Sequence, residues 1–138
     1  MTNEVSTTFA GFTINSSSGA LTEMPGSPFP AATNPSSIAF DTSGKFLYVA
    51  NLGSNNVSAF TIDAVTGVPT QISGSPFTAG TAPLFVAVDP SGTFLYVGNQ
   101  SSNNISGFTI NSTTGVLTAT SPATAGTGSA PTSMFIPK

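Results

Sequence analysis

Apolar positions along the chain fall into short alternating runs, and nowhere into the spacing of an amphipathic helix. The runs recur every 48 residues. Phe12-Thr13-Ile14 returns as Phe60-Thr61-Ile62 and as Phe108-Thr109-Ile110. Gly44, Phe46-Leu47-Tyr48-Val49 and Asn51 return as Gly92, Phe94-Leu95-Tyr96-Val97 and Asn99, and Gly26-Ser27-Pro28-Phe29 returns as Gly74-Ser75-Pro76-Phe77. A fixed period of this size marks an array whose unit cannot bury its own apolar faces and stacks on copies of itself.

One repeat, residues 35–82, holds four strand-like runs. Ser37-Ile38-Ala39-Phe40 alternates and ends at Asp41-Thr42-Ser43-Gly44, the residue types of a type I turn, as does Asp89-Pro90-Ser91-Gly92. Phe46-Leu47-Tyr48-Val49-Ala50 is apolar on both faces and so requires cover above and below. Val57-Ser58-Ala59-Phe60-Thr61-Ile62 is half polar and runs into Asp63-Ala64-Val65-Thr66-Gly67, where an Asx side chain opens a turn and glycine closes it. Val68-Pro69-Thr70-Gln71-Ile72 is the most polar, and its proline confines it to an edge. Burial is expected to fall from the first two strands to the fourth. Four antiparallel strands in a repeat of this length predict an all-β fold of β-propeller blades, about three per chain; solenoid coils are shorter and need no hairpin turns.

The register divides the chain into two whole blades, 35–82 and 83–130, and one split blade. Residues 1–34 supply the split blade's outer strands, with Met1-Thr2-Asn3 aligned on Val49-Ala50-Asn51, and residues 131–138 supply its inner strand. Three blades cannot close a ring, since propellers have roughly four to eight. Association is therefore expected, chiefly as a homodimer forming a six-bladed ring through Phe9, Phe12, Ile14, Met134, Phe135 and Ile136. A head-to-tail filament and a nine-bladed trimer are the alternatives.

Composition narrows the partners. The net charge is −3, with Lys45 and Lys138 against Glu4, Glu23, Asp41, Asp63 and Asp89, so no basic surface exists for nucleic acid or an anionic membrane. No run is long enough to span a bilayer, and residues 1–10 lack the features of a secretory leader. The Ser/Thr/Asn/Gly-rich character leans toward an extracellular or periplasmic protein. Sequons begin at Asn15, Asn56, Asn104 and Asn111, a number that this composition produces by chance.

Candidate chemistry is sparse. Asn51, Asn55, Asn99 and Asn103 fall on loops sharing one face, where amides could bind a sugar or small polar ligand with Phe29 or Phe77 as a stacking surface. The competing role, favoured by repetition, is bonding to their own loop backbone. Asp41, Asp89 and Asp63 occupy turn positions that want an Asx residue. The chain has no His, Arg or Cys, so no metal set, no imidazole for a serine nucleophile and no cofactor is expected.

Tyr48-Val49-Ala50-Asn51 and Tyr96-Val97-Gly98-Asn99, with Asn55-Asn56-Val57-Ser58-Ala59-Phe60-Thr61-Ile62-Asp63, Gly74-Ser75-Pro76-Phe77 and Asp89-Pro90-Ser91-Gly92, resemble the YVTN-type motif of lactonase-like bacterial propellers. These are relatives of 6-phosphogluconolactonase, usually seven-bladed. The resemblance covers essentially the whole chain and implies the fold. Catalytic members look to a His, Arg and acidic cluster at the channel mouth, and without His or Arg those roles fall on no residue here. The residues thus predict a non-enzymatic, self-associating partial propeller. A lectin-like module and a remnant of a lactonase-like enzyme are the alternatives.

Overall fold

The computed structural model describes residues 1–3, 5–134 and 136. The first repeat carries β1 (Thr8–Phe9), β2 (Phe12–Ile14), β3 (Leu21–Glu23) and β4 (Phe29–Pro30). The second carries β5 (Pro35–Phe40), β6 (Phe46–Asn51), β7 (Asn56–Ile62), β8 (Pro69–Gln71) and β9 (Phe77–Thr78). The third carries β10 (Pro83–Val88), β11 (Phe94–Asn99), β12 (Asn104–Ile110) and β13 (Leu117–Gly126). All strand pairings among the described residues are antiparallel: chain neighbours pair in the orders β2-β3, β5-β6-β7-β8 and β10-β11-β12-β13, while β4 pairs with β1 and β9 also with β7. The all-β blade architecture is the one expected from the repeat.

Two devices hold the register. The carboxylate of Asp41 accepts the N–H groups of Ser43 at 3.0 Å and Phe46 at 2.8 Å, fixing the turn from β5 into β6, and Gly44 adopts φ +72° there. Asp89 repeats the arrangement between β10 and β11 with Ser91 at 3.0 Å and Phe94 at 2.7 Å. Leu47 then pairs with Phe60 as Leu95 pairs with Phe108. Because side chains alternate between faces, that register decides which residues enter which seam.

Every residue of β6 is buried. Leu47 and Val49, with Phe60 of β7, pack on Phe9 and Phe29 of the first repeat. Phe46, Tyr48 and Ala50, with Val57 and Ala59, pack on Leu95, Val97, Phe108 and Ile110 of the third. Within this second seam the Tyr48 hydroxyl donates to the Gly115 carbonyl at 3.0 Å. Burial thus peaks at the second strand of the blade; β5 is only half-buried beyond Pro35, and Phe40 at its end is exposed. The expected decline holds only from β6 outward, because the innermost strand has fewer sheets above and below it.

The fourth strand differs from expectation. Gly-Ser-Pro-Phe is a turn that returns to the sheet: Gly74 takes φ +85°, and Phe77 opens β9, which pairs with the start of β7. Where the fourth strand bulges away, the Ser75 hydroxyl accepts the Ala59 N–H at 2.9 Å, and Ser27 does the same for Gly11 at 3.2 Å. A side-chain oxygen replaces a missing ladder carbonyl, so the Ala59 and Gly11 N–H groups keep an acceptor. The third repeat lacks this sequence, yet its ladder breaks at the same place: β13 pairs with β12 at Thr124 opposite Ser106 and resumes at Ala119 opposite Phe108.

At the N-terminus, Thr2 bridges Phe9 and the Met1 carbonyl accepts the Ala10 N–H at 2.7 Å, the register that Val49 and Ala50 hold on β7. Residues 131–134 and 136, expected as an inner strand, carry no strand assignment. A strand exists only by its ladder, and these residues have no ladder partner among the described residues.

The repeats also compensate each other's volumes. Blade 35–82 has Ser37 and Ala50 where blade 83–130 has Phe85 and Gly98, and a Cβ placed on Gly98 would lie 1.9 Å from the Phe85 ring. Gly98→Ala is therefore expected to destabilise the chain by about 1–3 kcal/mol through overpacking. In the double variant Phe85→Ser/Gly98→Ala the loss should be smaller than the sum of the singles, measured by urea denaturation. Additive losses would refute the compensation.

Candidate functional site

Two regions hold what the sequence offers as candidate chemistry: the loop face and the outer faces of the sheets. On the loop face the geometry shared by the two complete repeats is internal. Asn51 is fully buried; its amide nitrogen donates to Asn56 Oδ1 at 2.9 Å and Ser58 Oγ at 3.0 Å, and its Oδ1 accepts the Ala32 N–H at 3.3 Å. Asn99 is buried in the same way, on Asn104 Oδ1 at 2.8 Å, Ser106 Oγ at 2.9 Å and the Gly80 N–H at 3.1 Å. Asn55 and Asn103 are exposed in the left-handed region, at φ 57° and 53°, and their Oδ1 atoms accept the N–H groups of Ala82 and Ala130 at 2.8 and 2.7 Å. The loop after each second strand is thereby clamped between the linker entering the blade and the linker leaving it. Phe29, named as a stacking surface, is buried, and Phe77 is half-buried against the core.

The acids serve turns. Burial works to raise the Asp41 carboxyl, but hydrogen bonds from the Ser43 side chain and from backbone N–H groups outweigh it and hold it below the ordinary carboxylate value. Asp89 is set the same way by Ser91, Phe94 and Thr93. The Thr66 N–H and hydroxyl lower Asp63. Burial pushes the Tyr48 phenol well up, with the Asp41 carboxylate adding to it, so Tyr48 stays a neutral donor. Among the described residues no group of three or more His, Cys, Asp or Glu could hold a metal.

The outer faces are different in kind. Phe9 is buried inside the chain, with its ring centroid 5.7 Å from Phe29 and 5.3 Å from Phe60. Phe12 and Ile14 are not: they are 38% and 70% exposed, and Leu21 is 63% exposed. Their equivalents two repeats on, Phe108, Ile110 and Leu117, are 4%, 8% and 5% exposed against the second blade. Phe12, Ile14 and Leu21, together with Ile38, Phe40 and Leu47, are among the residues that line an open apolar cleft of about 380 Å³ beside β2 and β3. Met134 and Ile136 are half-buried, and Phe135 lies outside the described residues.

Comparison with known proteins places this geometry. Residues 1–132 match the family described as lactonase, seven-bladed β-propeller. The chain belongs to that family. A structure from Bacteroides fragilis, provisionally named a 6-phosphogluconolactonase, shares 26% identity over 94% of this chain and 36% of its own, with a TM-score of 0.82. A Lactobacillus plantarum protein shares 26% over 92% and 38%, at 0.77. The periplasmic gluconolactonase of Pseudomonas aeruginosa has the same fold at 24% identity, over 83% and 32%, at 0.69. None of the curated proteins matches. The chain spans about a third of the length of the structures it matches.

The family corrects the non-enzyme expectation. The matched family is described by lactonase activity, and the Bacteroides fragilis structure bears a 6-phosphogluconolactonase name. The expectation rested on the absence of His and Arg from a chain that covers 36% and 38% of two matched structures, and that inventory alone does not decide the chemistry.

The Asn clamps give a stability prediction. Asn51→Ala leaves a buried Ser58 hydroxyl and the Ala32 N–H without their partner, an expected loss of about 2–4 kcal/mol in chemical denaturation. Asn55→Ala, at an exposed site, should cost about 1 kcal/mol. Equal losses would refute the difference in burial as the cause.

Proposed function

We propose that this chain is the blade-building part of a lactonase-type propeller that closes on a second copy of itself, two chains forming a six-bladed ring. What supports this is the contrast between Phe12, Ile14 and Leu21 and their equivalents Phe108, Ile110 and Leu117. Identical positions of one repeat are dry where a neighbouring blade exists and wet where none does. Covering such side chains is worth roughly 1.5–3 kcal/mol each when complete. A joint of whole blade faces falls in the obligate class, on the order of 2,000 Å² or more in total. Dilute native mass spectrometry should give twice the chain mass, and Ile14→Asp should give the monomer with its far-UV strand signal retained. A wild-type monomer with intact strand signal, or an open filament, would overturn the ring.

Family membership favours a second reading of the same assembly: hydrolysis of a sugar lactone at the mouth of the completed channel. Ring opening of gluconolactone or its 6-phosphate, followed by acid release, should exceed the buffer rate and fall to it in Ile14→Asp. A wild-type rate equal to buffer would remove this reading and leave the assembly untouched.

A further inference from the structure

We infer that the joint between copies is keyed by one hydrogen bond, from the Tyr96 hydroxyl of one copy to the Gly19 carbonyl of the other. The inference rests on the proposed pairing of copies and names the contact that orients it. The same bond exists once inside the chain, where Tyr48 donates to Gly115 at 3.0 Å across the seam between the second and third repeats. Tyr96 is the equivalent of Tyr48 one repeat later, and Gly19 is the equivalent of Gly115 two repeats earlier.

The acceptor is already built. Gly19 and Gly115 share φ values of 72° and 71°. Their N–H groups donate to Asn15 and Asn111 carbonyls at 2.8 and 2.7 Å. The Asn15 side chain caps Ser17 and Ser18 N–H groups at 3.0 Å as Asn111 caps Thr113 and Thr114. This turn joins β2 to β3, directly between the exposed Ile14 and Leu21, so the carbonyl sits on the face that lacks a neighbour. Gly67, the third of the set, already lies against Met24, whose methyl carbon is 3.0 Å from a Cβ position there.

The donor face is built as well. Tyr96, Phe94 and Ile105 are half-buried, whereas Tyr48, Phe46 and Val57 are buried against the third repeat. The Tyr96 ring stands 6.4 Å from Phe94, on the side facing away from the second blade. A tyrosine at such a joint gives apolar area from its ring and a single directional bond from its hydroxyl, which sets rotation and depth. The contact is head-to-tail, since the third repeat of one copy meets the first of the other, and two such contacts close about a two-fold axis.

Two measurements test the key. Tyr96→Phe should raise the dimer dissociation constant roughly tenfold to thirtyfold, because the ring contains two such bonds, each worth about a factor of five. In the full chain carrying p-benzoylphenylalanine at position 96, mixed with isotope-labelled chain, light should join positions 15–21 of the labelled copy. A wild-type dissociation constant for Tyr96→Phe, or a cross-link mapping elsewhere on the second copy, overturns the key while the dimer stands. A wild-type chain that stays monomeric removes the pairing and the key together.

Discussion

A blade with two apolar faces must be sandwiched, and everything else in this molecule answers to that constraint. β6 is the clearest case: all its side chains are buried, alternately toward the first repeat and toward the third. Since alternate residues enter opposite seams, a shift of one residue would send Leu47 and Val49 where Tyr48 belongs. The charges and amides of the chain exist largely to prevent that shift. Asp41 and Asp89 fix the turn before each second strand, and Asn51 and Asn99 tie its far end to the next strand and to the incoming linker.

This explains why so few charges suffice. The polar groups of the loop face are satisfied by the backbone of neighbouring loops, so the buried amides carry their partners with them. The serine of each Gly-Ser-Pro-Phe segment shows the same economy, its hydroxyl standing in for a carbonyl of the fourth strand. A motif that reads in the sequence as a loop with a free aromatic ring is thus a splice in a strand, with its phenylalanine turned toward the core.

Much of the fold was legible because periodicity is a direct record of burial. The repeat length, the Asp turns and the doubly covered second strand could all be read before any coordinate. The fate of Phe29 and Phe77 could not, since hydropathy does not distinguish a strand resumed after a turn from a loop. Nor could the internal position of Phe9, which alternation assigns to a face but not to a neighbour. The expectation about activity failed for another reason: a set of absent residues was weighed against a whole enzyme, whereas the matched relatives are about two and a half times as long as this chain.

Where repeats agree they describe the blade; where they differ they describe what each blade meets. Ser36 donates to the Pro83 carbonyl at 2.8 Å and Ser37 accepts the Val86 N–H at 3.3 Å, so the inner strands β5 and β10 are tied by hydroxyls. The third repeat has Leu84 and Phe85 at those positions. Its outward face therefore cannot repeat the polar ties of the internal seam, although it keeps Tyr96 on the second strand. A further copy of the same repeat would lose two hydrogen bonds at the inner edge, whereas a neighbour that presents apolar groups there would lose none. The sequence differences between otherwise equal blades thus distinguish a joint within the chain from a joint beyond it.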